Sequence, residues 1–271
     1  MTHEDIYNQI LQKKSFLCVG LDSEYEKIPL FLKKYANPVL EFNKQIIDAT
    51  KDFCVSYKIN TAFYEKMGIL GWQTLEETLK YIPDNKFTIA DAKRGDIGNT
   101  SKNYAEAFLK NLNFDSITVA PYMGRDSISP FLENKDKWAI VLALTSNQGA
   151  FDFQTLKLEN GKYLYEEVIE KSKSWGDNIM YVVGATKADK IKSIRALVPN
   201  HFLLVPGVGA QGGSLEEVAI NGMNEKVGIL INSSRDIIFA DNTEKFAEKA
   251  RENAKKIQEK MSIILDKYLK T

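Results

Sequence analysis

The sequence is poor in the residues that form disulfides and most transition-metal sites. Its 271 residues include two cysteines and two histidines, with no CxxC or HExxH motif. Cys18 and Cys54 each lie inside an apolar, strand-like run, a setting typical of small buried side chains. His3 lies near the terminus and His201 begins a predicted strand, so neither receives a function. We therefore predict no metal site.

An excess of either charge is also absent. Lysine and arginine together number 36, aspartate and glutamate also number 36, and the formal net charge is zero. A chain without an overall positive field has no general attraction for nucleic acid, so an anionic ligand must be held by a local site. This balance fits a small phosphate-bearing ligand better than a polymer.

Long hydrophobic runs are missing as well. No stretch has the apolar length that a membrane span requires. The first residues, MTHEDIYNQILQKKSF, mix acidic and basic side chains and lack the apolar centre of a signal peptide. We expect a cytoplasmic protein with no membrane partner.

The chain lacks Pro-, Gly- or Ser-rich linkers and short-period repeats, which predicts a single domain over residues 1–271. Eight apolar, β-branched runs predict strands at Ser15–Asp22, Phe53–Asn60, Lys86–Lys93, Ser116–Tyr122, Trp138–Ser146, Ile179–Thr186, His201–Gly209 and Val227–Arg235. Helical spacing lies between them, at Asn37–Asp52, Trp72–Tyr81, Asn99–Asn111, Tyr165–Trp175, Ala188–Leu197 and Thr243–Leu269. The one long irregular connection, Gln148–Lys162, is interpreted as a surface insertion or a loop bordering the site.

This alternation predicts an α/β fold, specifically a (β/α)8 TIM barrel. Near-continuous apolar strands, each followed by a helix, are typical of a parallel sheet covered on both faces. Eight such units at this length favour closure into a barrel, with an open, doubly wound sheet as the alternative. The active site of such a barrel lies at the carboxyl ends of its strands.

The predicted strand ends are unusually polar. Ionisable groups buried there would be costly without a function or full pairing. The residues at these ends are Asp22, Lys58, Asn60, Asp91, Lys93, Thr145, Ser146, Asn147, Ser233, Ser234 and Arg235.

The densest cluster is IADAKRGDI at 89–97. Strand periodicity places Asp91 and Lys93 on one face, pointing into the barrel, with Ala92 outward. Lys58, from the neighbouring strand, completes a row of alternating charge in which each group keeps its neighbours ionised. A charged lysine of this kind is a poor Schiff-base nucleophile but donates protons and stabilises a carbanion, which favours decarboxylation over imine chemistry. The alternative is an ion-pair network that only braces the barrel.

A second pattern indicates a phosphate site. PGVGAQGG at 206–213 lies at the end of predicted strand seven, and Arg235 lies at the end of predicted strand eight. Loops after strands seven and eight commonly bind phosphate in this fold. Gln211 can donate an amide hydrogen, and the Arg235 guanidinium offers a bidentate fork. Together they predict a phosphomonoester ligand.

At DAKRGDI, residues 91–97, the sequence resembles the orotidine 5'-phosphate decarboxylase family, in its longer bacterial (type 2) branch. The resemblance runs from about Phe16 to Ala240. Further matching motifs follow in the family's order: VGLD at 19–22, KIN at 58–60, AFYE at 62–65, PYMG at 121–124, TSN at 145–147, PGVGAQGG at 206–213 and SSR at 233–235.

The resemblance implies removal of CO2 from orotidine 5'-phosphate to give uridine 5'-phosphate, without a cofactor. It makes Lys58, Asp91, Lys93 and Asp96 a catalytic tetrad, with Asp96 acting in the neighbouring site of a homodimer. Lys93 would protonate C6 of the pyrimidine after CO2 leaves. Asp91 would lie against the substrate carboxylate.

The binding roles implied by the resemblance involve six further residues. Asp22, with Lys58 and Asn60, would hold the ribose hydroxyls, and Thr100 would join Asp96 from the other subunit. Ser146 would read the pyrimidine amide edge. Gln211 and Arg235 would bind the phosphate, under a lid at 209–213.

One position departs from the family pattern. Asp236 follows Arg235 where glycine is expected. A carboxylate there would repel phosphate or pair with Arg235, which predicts weaker substrate affinity but no change in the tetrad.

Two other functions compete with this one. A lyase of the hexulose-phosphate synthase type would use Mg²⁺ and a sugar phosphate and would lose activity in EDTA. A non-catalytic phosphate-binding barrel would bind uridine 5'-phosphate without turnover.

Overall fold

The computed structural model describes residues 1–185, 188–208 and 214–269. Its strands pair in chain order as a closed eight-stranded barrel, which confirms the predicted fold and excludes the open sheet. The strands are β1 Leu17–Gly20, β2 Ser56–Asn60, β3 Phe87–Arg94, β4 Ser116–Val119, β5 Trp138–Leu144, β6 Ile179–Val183, β7 Leu203–Pro206 and β8 Ile229–Ser233.

The helices lie between these strands and at both ends of the chain. They are α1 His3–Lys13, α2 Pro38–Thr50, α3 Ala62–Glu65, α4 Ile69–Tyr81, α5 Gly98–Ala105, α6 Arg125–Leu132, α7 Ala150–Phe153, α8 Leu164–Ser172, α9 Ala188–Leu197, α10 Leu215–Gly222, α11 Arg235–Ile238 and α12 Phe246–Tyr268. Helix α5 continues as a π-helix over Glu106–Asn111. Across the described ranges, none of these helices has the length and apolar character needed to cross a membrane.

Several strands are shorter than predicted, because their polar carboxyl-terminal residues leave the ladder. Strand β1 ends at Gly20, two residues before Asp22, and β5 ends at Leu144, just before Thr145. Asp22 and Thr145 therefore lie on loops that the strands fix at one end, whereas Lys58 and Asp91 remain on strands.

The connection Gln148–Lys162 is more regular than predicted. It contains α7 and an antiparallel bridge between Lys157 and Tyr163. The Gln154 carbonyl accepts the Tyr165 N–H at 3.0 Å, which joins this segment to the start of α8. The connection is therefore not irregular throughout, and its interpretation as a surface insertion or a loop bordering the site stays a prediction.

Contacts within the chain divide it into two compact units. Unit 1 comprises Met1–Ala92 and Asn232–Thr271, and unit 2 comprises Lys93–Ile231. In unit 1, Phe42 of α2 stacks on Phe246 of α12 with ring centroids 5.2 Å apart. The prediction of one domain over residues 1–271 stays a prediction.

A buried arginine braces unit 2. Arg195 of α9 donates hydrogen bonds of 2.7 Å to the carbonyls of Gly222, His201 and Gly228. Its guanidinium supplies hydrogen-bond donors to these backbone carbonyls in the protein interior. Arg195 is thus a structural residue of this half of the chain.

Candidate active site

The centre of the site in unit 1 is Lys58, on β2. Its Nζ lies 3.2 Å from Asp22 Oδ1 and 3.0 Å from Asp91 Oδ2. The strand register brings these side chains together. Gly20, two residues before Asp22, pairs with Lys58, and Asn60, two residues after Lys58, pairs with Asp91. Lys58 thus pairs with Asp91 as its strand position predicts, and Asp22 is a second partner that the prediction of this row did not include.

Burial alone would lower the pKa of the Lys58 ammonium. The side chain is 6% exposed, against 20% for Asp22 and 12% for Asp91. The charges of the two carboxylates, with the hydrogen bond to Asp91, outweigh the burial and raise the pKa above its usual range. Lys58 is therefore a permanent cation at any physiological pH.

A buried hydrogen-bond network fixes both chain neighbours of Asp22. The Tyr64 hydroxyl donates to the Leu21 carbonyl at 3.1 Å, and the Ser23 hydroxyl donates to Asn43 Oδ1 at 2.6 Å. Asn43 Nδ2 in turn donates to the Tyr64 hydroxyl at 2.9 Å. Burial raises the pKa of Tyr64, so its hydroxyl stays protonated and can donate. The position of Asp22 thus depends on α2 and α3.

We expect Tyr64→Phe to lower the free energy of unfolding by about 1–3 kcal/mol. The substitution removes the hydroxyl that donates to the buried Leu21 carbonyl and accepts from the Asn43 amide. Urea denaturation of the variant measures this loss. Tyr25→Phe is the control, since Tyr25 is 40% exposed, and it should leave stability within about 0.5 kcal/mol of the parent. Equal stabilities for the two variants would contradict the role given to the network.

The backbone at Lys93 departs from the predicted strand geometry. Its φ is 48°, in the left-handed region, and its N–H donates to Thr118 Oγ1 at 2.9 Å. The alternation that predicted Asp91 and Lys93 on one face requires extended backbone, so that argument is wrong at Lys93. Ala92 is buried and Lys93 is exposed.

The end of β8 packs closely on β1 in unit 1. The Ser234 hydroxyl donates to the Gly20 carbonyl at 3.0 Å, and a Cβ at Gly20 would lie 2.7 Å from Ser234 Cβ. Glycine is therefore required for this approach. Arg235 begins α11 directly afterwards, and both Arg235 and Asp236 are exposed to solvent.

Asp96 and Thr100 lie in unit 2, on the loop after β3 and on α5. Asp96 Oδ1 accepts the Ile97 N–H at 2.8 Å, and the Asp96 carbonyl accepts the Ser101 hydroxyl at 2.7 Å. Asp96 is half-buried and Thr100 is exposed. Their predicted role in a neighbouring subunit stays a prediction.

Ser146 follows β5 and is held on two sides within unit 2. A Cβ at Gly184 would lie 2.8 Å from the Ser146 nitrogen, so the chain just after β6 approaches Ser146 only because residue 184 has no side chain. The Gln154 side chain makes two hydrogen bonds with Thr145, the residue before Ser146. Its Oε1 accepts the Thr145 N–H at 2.8 Å, and its Nε2 donates to the Thr145 hydroxyl at 2.9 Å. These contacts fix the loop that presents Ser146.

Asn60 and Gln211 are the remaining residues that the sequence predicts to bind substrate. Asn60 is half-buried at the end of β2, and its Oδ1 accepts the Ala62 N–H at 3.2 Å. Gln211 and the lid at 209–213 lie outside the described residues. In the part of the chain that is described, no three His, Cys, Asp or Glu side chains group as metal ligands.

Comparisons with known proteins find the same family over most of the chain. Residues 15–250 match the model described as "Orotidine 5'-phosphate decarboxylase / HUMPS family". The orotidine 5'-phosphate decarboxylase of Flavobacterium johnsoniae is 60% identical, over 98% of this chain and 99% of that protein. The one of Phocaeicola vulgatus is 55% identical over 98% and 99%. The solved structure of Leishmania donovani OMP decarboxylase superposes with a TM-score of 0.85 at 36% identity, covering 97% of this chain and 99% of that one.

Proposed function

The chain belongs to the orotidine 5'-phosphate decarboxylase / HUMPS family, and from that premise we propose how this carboxy-lyase of UMP biosynthesis forms uridine 5'-phosphate and CO2 from orotidine 5'-phosphate. The observation that carries the mechanism is the buried Lys58 ammonium between Asp22 and Asp91. Its pairing supplies a fixed charge pattern before substrate arrives, so little reorganisation is needed during the reaction.

The bond between C6 and the carboxylate breaks, and its electron pair stays on C6. The Lys93 ammonium stabilises this carbanion by its charge and then transfers a proton to C6. CO2 and uridine 5'-phosphate are released, and solvent restores the proton of Lys93. One proton is consumed per CO2 formed.

Asp91 lies against the departing carboxylate in this proposal, while Lys58 keeps Asp91 in place. Repulsion between the two carboxylates favours the loss of CO2, although the fixed charge of the tetrad is assigned the larger effect. Asp22, Lys58 and Asn60 bind the ribose hydroxyls.

The other contacts orient the ends of the substrate. Ser146 reads the amide edge of the pyrimidine. Gln211 and Arg235 bind the phosphate, and the segment 209–213 closes over it. Phosphate is remote from C6, so its binding energy can be used to assemble a closed, water-poor site.

We also propose a homodimer in which Asp96 and Thr100 act in the neighbouring site. Exposed apolar side chains support such an interface: Ile97, which follows Asp96 in the chain, is 58% exposed, and Tyr122 and Met123, which follow β4, are 88% and 45% exposed. An apolar surface of this kind commonly marks contact with another protein chain.

Mixing two inactive variants tests the shared site. Lys93→Ala and Asp96→Ala subunits, unfolded together and refolded, should regain roughly a quarter of wild-type activity, because half of the dimers are mixed and each mixed dimer has one intact site. Steady-state turnover before and after mixing measures this. No recovery, with dimers confirmed by sedimentation, would place Asp96 in its own subunit's site.

Gly184→Ala is expected to raise KM for orotidine 5'-phosphate about tenfold, because the new methyl group collides with the Ser146 backbone and displaces its hydroxyl from the pyrimidine. Gly176→Ala is the control: its Cβ meets side-chain atoms of Asn178 and Leu132 at 3.1 and 3.4 Å, which can shift. Initial-rate kinetics compare the two. An unchanged KM in a folded Gly184→Ala protein would remove Ser146 from the binding site.

The decisive assay for function uses purified protein, orotidine 5'-phosphate and excess EDTA, with the orotate absorbance followed in time. Rapid loss of absorbance supports the decarboxylase and is incompatible with a Mg²⁺-dependent lyase. Binding of uridine 5'-phosphate without any turnover would favour a binding protein instead. Action in the cytoplasm and independence of a cofactor remain predictions.

A further inference from the structure

The backbone at Lys93 has an unusual conformation for a residue with a side chain. Its φ of 48° lies in the left-handed region, which is unfavourable for any residue with a Cβ other than asparagine or aspartate. Such conformations persist only where surrounding contacts enforce them, and they concentrate at functional sites.

Thr118 makes a side-chain contact with the Lys93 backbone. Its Oγ1 accepts the Lys93 N–H at 2.9 Å. Thr118 is fully buried, lies in the middle of β4 and pairs with Ile140 of β5. Because threonine is β-branched, its χ1 angle has little freedom in a strand. The hydroxyl is therefore a fixed acceptor on a rigid element.

The adjacent backbone shows that the departure is local. One residue later, the Arg94 carbonyl accepts the Ala120 N–H at 2.8 Å, so a backbone hydrogen bond between the β3 and β4 segments follows Lys93. The Thr118 hydroxyl accepts the N–H of Lys93, which is the left-handed residue of β3. This arrangement re-aims one side chain without disturbing the strand that carries it.

We propose that Thr118 is a positioning residue: its hydroxyl holds Lys93 in the left-handed conformation that directs the ammonium group to the reacting carbon. This inference rests on the proposed role of Lys93. A change of φ at one residue swings a side chain as long as lysine by several ångströms, and a misplacement of about 1 Å at a reacting centre can lower a rate about a hundredfold. Substrate binding, which Lys93 does not dominate, should change little.

Two substitutions separate the hydroxyl from the shape of the side chain. Thr118→Val keeps the shape and removes the acceptor, and Thr118→Ser keeps the acceptor and removes a methyl group. Thr50→Val is the matched control, because Thr50 is also fully buried and its hydroxyl donates to the Ile46 carbonyl at 2.7 Å in helix α2. If Thr118→Val does not fold, Thr118→Cys is compared with Thr118→Ser: both lack the methyl group, and only the cysteine replaces the hydroxyl by a weak acceptor.

The kinetic expectation is a split between kcat and KM. Thr118→Val should lower kcat by about 30- to 100-fold with KM within about threefold of wild type, while Thr118→Ser stays within about threefold in both. Thr50→Val should alter melting temperature and leave kcat unchanged. A Thr118→Val protein with wild-type kcat, or a Thr118→Ser protein as impaired as Thr118→Val, would overturn the proposal.

A measurement without substrate keeps the inference separate from the proposed function. Amide hydrogen exchange at Lys93, read by NMR, should be markedly faster in Thr118→Val than in wild type. Equal exchange overturns the positioning role even if the enzyme is active. Wild-type protein that does not decarboxylate orotidine 5'-phosphate overturns the proposed function, whatever the exchange result.

Discussion

Lys93→Ala is expected to lower kcat for decarboxylation of orotidine 5'-phosphate by at least about 10⁴-fold. The substitution removes both the charge that stabilises the C6 carbanion and the group that protonates it, and each effect alone is worth about 10²–10³-fold or more. Uridine 5'-phosphate should still bind, because its ribose and phosphate contacts do not involve Lys93. Single-turnover kinetics and isothermal titration calorimetry measure the two quantities.

Lys110→Ala is a suitable control for that experiment. Lys110 is an exposed lysine of unit 2 that pairs with Glu106, and its loss should leave kcat unchanged. Residual activity of Lys93→Ala within about tenfold of wild type would rule out Lys93 as the proton donor.

Lys58→Met should impair both stability and catalysis. The substitution leaves Asp22 and Asp91 close together without their shared cation, so the free energy of unfolding should fall by about 2–4 kcal/mol. Turnover should fall by at least about 10³-fold, because the charge pattern that faces the substrate is lost. Urea denaturation and steady-state kinetics test the two effects.

A surface ion pair provides the control for Lys58. Lys66 contacts Glu26 at 3.3 Å, with side chains 45% and 69% exposed, and exposed pairs contribute little to stability. Lys66→Met should therefore be close to wild type in both assays. Equal effects of Lys58→Met and Lys66→Met would show that burial and double pairing of Lys58 are unimportant.

The raised pKa of Lys58 also fixes the pH dependence of its contribution. The folded state holds this proton more tightly than the unfolded state, whose lysine pKa is near 10.5. The stabilisation by Lys58 is therefore complete below that value and is lost only as pH rises through the folded pKa. The difference in the free energy of unfolding between wild type and Lys58→Met should therefore not change through titration of Lys58 between pH 6 and 9. Urea denaturation at several pH values measures it.

The barrel was predictable because most of its strand residues are buried and apolar, although β2 also carries the charged Lys58. Strand ends were less predictable, since residues such as Asp22 and Thr145 continue an apolar run in sequence but turn into loops. Helix α1 was not predicted. Its charged residues mask an apolar stripe of which Ile6 and Ile10 are the buried members.

The charged centre was predictable from residue type and strand position, but the residues that support it were not. The meeting of Lys58 with Asp91 follows from neighbouring strands. The role of Tyr64 beside Asp22 depends on Asn43, which a different helix supplies. The contact of Thr118 with Lys93 likewise joins two strands and leaves no local pattern in the sequence.

The most direct test of the account is to run the reaction in D2O and examine the product by proton NMR. We predict that orotidine 5'-phosphate is converted to uridine 5'-phosphate carrying deuterium at C6, because the Lys93 ammonium exchanges with solvent before it protonates the carbanion. The wild-type protein should do this in the presence of EDTA. Product that carries hydrogen at C6, or no product at all, would contradict the proposed mechanism.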